Sequence, residues 1–134
     1  MNRPLSHYLE QMPLVAILRG ITPAESLDVV ACLLDAGIRI VEVPLNSPDP
    51  FDSIKLIAEK FGTQMLVGAG TVLNAEQVKD VAAAKGRLIV SPNTNAAIIK
   101  SAVALEMSCV PGAATPSEVF TALDAGANGV KAFP

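Results

Sequence analysis

The feature that most constrains the fold is the regular alternation of short apolar segments with helical segments along the whole chain. Such alternation is typical of βα units whose strands run parallel in one sheet. The apolar segments show little period-2 alternation, as expected for strands covered by helices on both faces. We therefore predict an α/β protein with five intervening helices and six strands, which cover residues 13–18, 38–44, 64–70, 87–92, 107–112 and 127–134.

The ends of the helices carry recognisable signals. Thr22 with Glu25 predicts a capping box, Pro23 takes the first helical position, and Gly37 predicts the C-terminal stop. Later helices repeat the pattern, with starts predicted at Asn74 and Thr115 and stops at Gly62, Gly86 and Gly126.

Two architectures fit this order, a doubly wound open sheet and part of a (β/α)₈ TIM barrel. An internal echo favours the barrel, because "TPAE…DAG" and "TPSE…DAG" each precede a strand with one charged residue. Glu42 lies five residues past Gly37, and Lys131 lies five past Gly126. In a barrel the second and sixth strands lie opposite each other, so we expect the two side chains to share one cavity. The alternative is chance, or shared ancestry without shared chemistry.

Lys131 and Glu42 are the candidate catalytic pair. Lys131 is either a solvated side chain or a Schiff-base lysine, since a desolvated ammonium loses its proton more readily and the free amine attacks a ketone. Glu42 either neutralises that cation or acts as a general acid and base, and the two roles are compatible.

Further candidates lie where strands end. Arg19 in "AILRG" is either a surface arginine or a ligand for a substrate carboxylate. "GAGTV" is not a dinucleotide fingerprint, because Leu73 stands where the third glycine is needed. Gly68 and Gly70 instead predict a close approach to the backbone, and Thr71 offers a hydroxyl beside them. The segments "SPN" and "PGAAT" predict turns on the same rim.

Composition excludes several other classes. The 134 residues suggest a single domain, and a content of 51% hydrophobic but 4% aromatic residues predicts an aliphatic core. A net charge of −3 without a Lys/Arg run argues against nucleic-acid binding. No apolar run approaches the roughly 18 residues of a membrane span, and the first residues are too polar for a signal peptide. We therefore expect a soluble, cytoplasmic protein.

Cysteine and histidine content points the same way. Cys32 and Cys109 lie in apolar segments and are predicted to be buried free thiols. A single histidine argues against a His-rich metal site.

Six short motifs together resemble a known family. In this order and spacing, "AILRG", "VEVPLNSP", "GAGTVL", "SPN", "PG" and "VKAFP" are similar to the class I 2-keto-3-deoxy-6-phosphogluconate and 4-hydroxy-2-oxoglutarate aldolases, over essentially the whole chain. "LRGITP" with "PLNSP" is most similar to the 2-dehydro-3-deoxy-6-phosphogalactonate branch of that family. Asn46 and Ser47 replace an arginine and a threonine of the gluconate branch, which implies that Arg19 takes over carboxylate binding.

The resemblance implies a reaction and a role for each candidate. The substrate would be cleaved to pyruvate and D-glyceraldehyde 3-phosphate by a homotrimer without a metal or organic cofactor. Lys131 would form the imine with the C2 ketone and Glu42 would move protons. Substrate binding would fall to Arg19 and Thr71 at the carboxylate and to Pro92 and Phe133 at the pocket wall.

Six strands are fewer than the eight of a closed barrel, and the phosphate site of such barrels commonly lies after strands 7 and 8. The resemblance therefore implies a single, C-terminally incomplete barrel domain over residues 1–134, with exposed edges on its first and sixth strands. That chain would be a partial or truncated product, or a fragment that needs a partner. Three alternatives stay open: an aldolase for the gluco epimer, a phosphate-binding barrel isomerase or synthase, and a half-barrel that only associates with other chains.

Overall fold

A computed structural model describes residues 3–134 and places them in six helices and six strands. The helices are α1 (Leu5–Gln11), α2 (Pro23–Asp35), α3 (Pro50–Phe61), α4 (Ala75–Ala83), α5 (Ala96–Ala104) and α6 (Pro116–Asp124). The strands are β1 (Val15–Ile17), β2 (Ile40–Pro44), β3 (Leu66–Gly70), β4 (Leu88–Ser91), β5 (Ser108–Ala113) and β6 (Lys131–Ala132).

All six strands are parallel and lie in the sheet in chain order, from β1 to β6. A doubly wound sheet reverses its strand order at a switch point, so that alternative is wrong for this chain. Side chains from β1, β2 and β6 line one cavity, which shows that the sheet is curled and that the cavity lies on its concave face. The structure is thus a half-barrel of βα units.

The number of helices corrects the prediction of five. The additional helix, α1, precedes β1 and lies in a segment for which no helix was predicted. Its side chains Leu5 and Tyr8 pack with Ile40, Leu66 and Leu88 on the concave side of the sheet. Helix α1 therefore fills part of the space that the curled sheet encloses.

Strand β2 shows how the sheet divides its side chains between two layers. Val41 and Val43 belong to the large core between sheet and outer helices, whereas Ile40 packs on the concave side and Glu42 lines the cavity there. Successive side chains of a strand point to opposite faces, so the residues two apart share a layer. All five residues of β2 are buried, as expected for a strand covered on both faces, whereas Val15 and Ile17 of β1 are exposed, so the expectation is wrong for β1.

Two of the predicted helix stops have the expected geometry. Gly37 and Gly126 adopt φ values of +100° and +105° just beyond α2 and α6. At the first, the Gly37 N–H donates to Leu34 and the Ile38 N–H donates to Leu33, which is the Schellman arrangement that favours glycine.

Other signals were read less accurately. After α4 the left-handed residue is Lys85, with φ of +66°, and not the predicted Gly86. The Thr22 hydroxyl donates to the Glu25 carboxylate, but its side chain accepts no backbone hydrogen bond at the start of α2. The sixth strand is also shorter than predicted and includes only Lys131 and Ala132.

The outer strands of the sheet carry exposed apolar side chains. Strand β1 pairs with β2 alone within the described part of the chain, and β6 pairs there with β5 alone. Val15 is 44% exposed and Ile17 is 51% exposed, which confirms the expected exposure at the β1 edge. Within residues 3–134, no helix combines the length and the hydropathy that a membrane crossing requires.

Candidate active site

The site lies in a cavity of about 330 Å³ on the concave face of the sheet. Its wall is largely apolar, with side chains from α1, β1, β4 and β5, and two charged groups complete it: Glu42 from β2 and Lys131 from β6. The convergence that the internal echo predicts is therefore present in the structure. The apolar wall is formed by Leu5, Leu9, Val15, Ile17, Leu88, Val90, Val110 and Val130.

Glu42 carries a buried carboxyl group on the concave face of the sheet. Its residue is 3% exposed, and its Oε2 atom accepts no hydrogen bond from any residue between 3 and 134. Burial raises the pKa of Glu42 above its ordinary value, and the positive charges of Lys131 and Arg19 oppose that rise. Because a carboxyl group in apolar surroundings holds its proton more tightly, Glu42 is suited to take up and return a proton.

The backbone of Glu42 is held on both sides. Its register partners are Ile17 on β1 and Gly68 on β3, and its carbonyl accepts a hydrogen bond from the Leu18 N–H at 2.9 Å. The carboxylate can therefore change place only by rotation of its own side chain.

Lys131 is half-buried on β6, opposite Gly112 of β5. Its Nζ atom lies 4.3 Å from the centre of the Phe133 ring, a geometry in which an ammonium is attracted to an aromatic face. The ion pairs found among the described residues join other lysines, so Lys131 and Glu42 face the same cavity without forming a salt bridge. An amine and a buried carboxyl group around an apolar cavity are the groups that imine chemistry needs.

Arg19 lies outside the cavity wall. It follows β1, its side chain is exposed, and its charge acts on Glu42. The next residue, Gly20, adopts φ of +80° and donates its N–H to the Ser47 hydroxyl at 3.0 Å. Ser47 is 6% exposed. Its hydrogen bond with Gly20 links the loop after β2 to the loop that carries Arg19. Sequence reasoning noted Ser47 only as a departure from the gluconate branch and missed this link.

Thr71 and Pro92 also lie on loops beyond their strands and not in the cavity wall. Thr71 directly follows β3 with φ of +54°, a conformation that a β-branched residue rarely adopts. Backbone hydrogen bonds on either side hold it there: the Leu45 N–H donates to Gly70, and the Val72 N–H donates to Val90. Pro92 follows β4 and is partly exposed.

Of the six candidate residues, four thus lie at the rim of the cavity, and Glu42 and Lys131 lie in its wall. Arg19, Thr71 and Pro92 follow the strands β1, β3 and β4, and Phe133 follows β6 beside Lys131. All four lie beyond the C-terminal ends of parallel strands, the end at which α/β proteins bind ligands.

Gly70 is a feature of the site whose role sequence reasoning only partly identified. A Cβ atom at this position would overlap both carboxylate oxygens of Glu42, since even Oε1 would lie only 2.6 Å away. The close approach predicted for "GAG" is therefore real, but the group that approaches Gly70 is a protein side chain. Gly68 likewise leaves room for Leu88 of β4.

The titratable residues offer no evident metal centre. Across residues 3–134, no three His, Cys, Asp or Glu side chains are grouped so that they could hold a metal ion. Cys109 is buried as predicted, whereas Cys32 is exposed on α2, so the prediction of two buried thiols is wrong for Cys32.

Comparison with known proteins gives the site its context. A family model described as KDPG and KHG aldolase matches residues 5–134. The chain belongs to this family. The KDPG and KHG aldolases are the family that the six motifs resemble, and the match includes all six candidate residues.

Individual members of the aldolase family are closely similar. The 2-dehydro-3-deoxy-6-phosphogalactonate aldolase of Escherichia coli K12 is 50% identical over 124 residues, which are 92% of this chain and 60% of that protein. A structure described as native KDPGal superposes with a TM-score of 0.88 at 49% identity, over 90% of this chain and 58% of that one.

A more distant aldolase bears on the chemistry. The KDPG aldolase from Legionella pneumophila was solved with pyruvate captured at low pH as a covalent carbinolamine intermediate. It superposes with a TM-score of 0.84 at 30% identity, over 92% of this chain and 60% of that one. The matched part of the present chain thus corresponds to about three fifths of the length of each of these three aldolases.

Proposed function

We propose that this chain acts in a class I aldolase that cleaves 2-dehydro-3-deoxy-6-phosphogalactonate to pyruvate and D-glyceraldehyde 3-phosphate. The observation that carries the proposal is the shared cavity of Lys131 and Glu42, an amine and a buried carboxylate on an apolar wall. The relative at 50% identity bears the name of that activity.

In the proposed reaction the free amine of Lys131 adds to the C2 ketone of the substrate and forms a carbinolamine. Loss of water then gives a protonated imine, which withdraws electrons from the C3–C4 bond. When that bond breaks, the C4 hydroxyl loses its proton, D-glyceraldehyde 3-phosphate leaves, and the electron pair stays on C3 as an enamine. Protonation of C3 and hydrolysis of the imine release pyruvate and restore the amine.

Glu42 is the proposed carrier of these protons. Its raised pKa allows it to be protonated when water leaves the carbinolamine and deprotonated when the C4 hydroxyl must lose its proton. Oε2 of Glu42, which has no hydrogen-bond partner among residues 3–134, is the atom on which such a proton would be held. The charge of Lys131 changes during the cycle, which alternately favours and disfavours the ionised carboxylate.

The rim residues are proposed to orient the substrate. The exposed guanidinium of Arg19 and the hydroxyl of Thr71 would bind the substrate carboxylate, since a guanidinium pairs with a carboxylate through two hydrogen bonds. Pro92 and Phe133 would form the pocket wall, and the Phe133 ring already lies against the Lys131 amine.

We further propose that the half-barrel is part of a single (β/α)₈ domain, because its strands follow chain order around a concave interior. The cytoplasmic location and the trimer stay predictions from the sequence and its family resemblance. The gluco-epimer activity is a second candidate, since the KDPG and KHG description of the family model favours it. A half-barrel that only associates with other chains is favoured by the exposed Val15 and Ile17.

Borohydride reduction in the presence of pyruvate tests the proposal. Reduction of an imine fixes pyruvate to its lysine, so peptide mass spectrometry of the treated protein should find the adduct on Lys131. Lys131→Ala should abolish the adduct. Lys79→Ala is the matched control, because Lys79 is an exposed lysine on α4 paired with Glu76, and it should leave trapping unchanged. A folded wild-type protein without an adduct would overturn the aldolase proposal and favour the half-barrel alternative.

A second experiment identifies the preferred sugar acid. It compares the rates at which the protein cleaves the two phosphorylated epimers.

A further inference from the structure

Strand β3 leaves two positions on its concave side without a side chain, and neighbouring strands fill each of them differently. At Gly68 the nearest atoms to an added Cβ belong to Leu88, including its backbone carbonyl. At Gly70 the nearest atoms all belong to the carboxyl group of Glu42, the far end of a side chain. The space beside Gly68 is therefore occupied by backbone atoms held in the sheet. The space beside Gly70 is occupied by a carboxyl group that can rotate.

We propose that Gly70 is a positioning residue for Glu42: its missing side chain creates the notch that fixes where the catalytic carboxylate lies. This inference rests on the proposed function, in which Glu42 moves the protons.

The notch is rigid because the backbone on both sides is held. Gly70 is the register partner of Pro44 on β2, and its carbonyl accepts a hydrogen bond from the Leu45 N–H at 2.9 Å. On the other side, β1 and β3 flank the backbone of Glu42. A methyl group at Gly70 would therefore be relieved by rotation of the Glu42 side chain, because neither strand can move aside.

The backbone of Gly70 itself accepts an alanine. Its φ lies outside the left-handed region, unlike those of Gly20, Gly37 and Gly126. Gly70→Ala should therefore fold, because the three atoms nearest to the added methyl all belong to the movable end of the Glu42 side chain. Glycine is needed at this position for the sake of Glu42 and not for the turn of the chain.

The position of the Glu42 carboxyl group in the notch matters because charged groups act on it there. Lys131 on β6 and Arg19 after β1 are the charged groups that oppose the rise in the pKa of the Glu42 carboxyl, whereas Gly70 beside it carries no charge. A carboxylate displaced from the notch changes its distance to the Lys131 amine and to the bound substrate. A displacement of about 1 Å at a reacting group can cost about 100-fold in rate.

A double-mutant cycle tests this inference with pyruvate alone. Exchange of the pyruvate C3 protons for deuterium reports proton transfer through the enamine, and borohydride trapping reports imine formation at Lys131. Gly70→Ala should lower the exchange rate about 10- to 100-fold, shift its pH profile, and retain most of the trapping. Glu42→Asp shortens the side chain by one methylene and withdraws the carboxylate from the notch. In that background Gly70→Ala should cost less than about threefold, since the overlap is gone.

Three outcomes separate failure of the inference from failure of the proposed function. Wild-type protein that neither traps nor exchanges pyruvate would overturn both the function and the positioning role. Wild-type protein that traps and exchanges, with Gly70→Ala equally active, would overturn the positioning role alone. An equal loss from Gly70→Ala in the wild-type and Glu42→Asp backgrounds would show a general structural effect and also overturn it. Gly68→Ala serves as the control for such an effect, because its clash with the Leu88 carbonyl should lower the melting temperature.

Discussion

The Gly20 N–H donates a hydrogen bond of 3.0 Å to the buried hydroxyl of Ser47, 27 residues later in the chain. This contact joins the loop after β1, which carries Arg19, to the loop after β2. Gly20 adopts a left-handed φ of +80° at this contact, a conformation that glycine takes without strain. The position of the guanidinium at the rim therefore depends on a residue that lies in neither the cavity nor the first loop.

Ser47→Ala should raise KM for the substrate more than it lowers kcat, because it loosens a binding group and leaves the reacting groups in place. Loss of the acceptor for the Gly20 N–H should also cost about 1 kcal/mol of unfolding free energy. Steady-state kinetics and urea denaturation measure the two effects. Ser117→Ala on the exposed start of α6 is the control, and an equal effect on KM there would contradict the assignment.

Phe133→Ala should slow imine trapping at Lys131 about two- to fivefold. The ring lies 4.3 Å from Nζ, and a fixed orientation of the reacting group contributes to the rate of its reaction. Loss of the ring leaves the amine less restricted in the cavity. Phe120 on α6 is 67% exposed, so Phe120→Ala is the matched control and should trap at the wild-type rate. Similar rates for all three proteins would remove Phe133 from the site.

Glu42→Gln should lower turnover by about 100- to 10,000-fold, the range in which a positioned acid and base contributes. The amide keeps the shape of the side chain, so borohydride trapping of pyruvate should fall less than turnover does. Single-turnover rates measured beside trapping separate the two steps. A variant with the wild-type rate would exclude Glu42 from the mechanism.

The same substitution should stabilise the fold at neutral pH. Burial raises the pKa of Glu42 in the folded protein, so between its unfolded and folded values the folded state binds more protons than the unfolded state. Stability from this group is therefore full below the unfolded pKa and is lost as pH rises through the folded pKa. Glu42→Gln does not ionise, so its melting temperature should exceed that of the wild type at pH 7–8. The difference in melting temperature between Glu42→Gln and the wild type should become smaller as pH falls to 4. A difference that does not change with pH would contradict ionisation of Glu42 as its cause.

The two cysteines should react very differently with a thiol reagent. Burial raises the pKa of Cys109 to about 12, whereas Cys32 is exposed on α2. Because the thiolate is the reactive form, one thiol should react quickly in the folded protein and the second only after denaturation. Cys32→Ser should remove the fast phase, and a fast phase that persists in it would contradict the burial of Cys109.

Periodicity and capping signals predicted the order of strands and most helix boundaries, because these depend on residues close together in the chain. Gly37 and Gly126 end their helices as expected, since only glycine adopts their φ without strain. Helix α1 was not predicted from the sequence. Its Leu5 and Tyr8 are buried against strands of the curled sheet and not against a neighbouring helix. Cys32 likewise lies in an apolar segment, but on a part of α2 that nothing covers.

Residue types and spacing predicted the parallel α/β architecture and the shared cavity of Glu42 and Lys131, because a repeated βα unit carries its charged residue to the same relative place. The family was indicated by the resemblance of six motifs to known aldolases. Only the tertiary structure decided that Oε2 of Glu42 lacks a hydrogen-bond partner among residues 3–134, that Gly70 makes room for the carboxyl group, and that Ser47 accepts a hydrogen bond from the loop of Arg19. The physical reason is that burial and steric exclusion arise between strands that are adjacent in the sheet but distant in the chain.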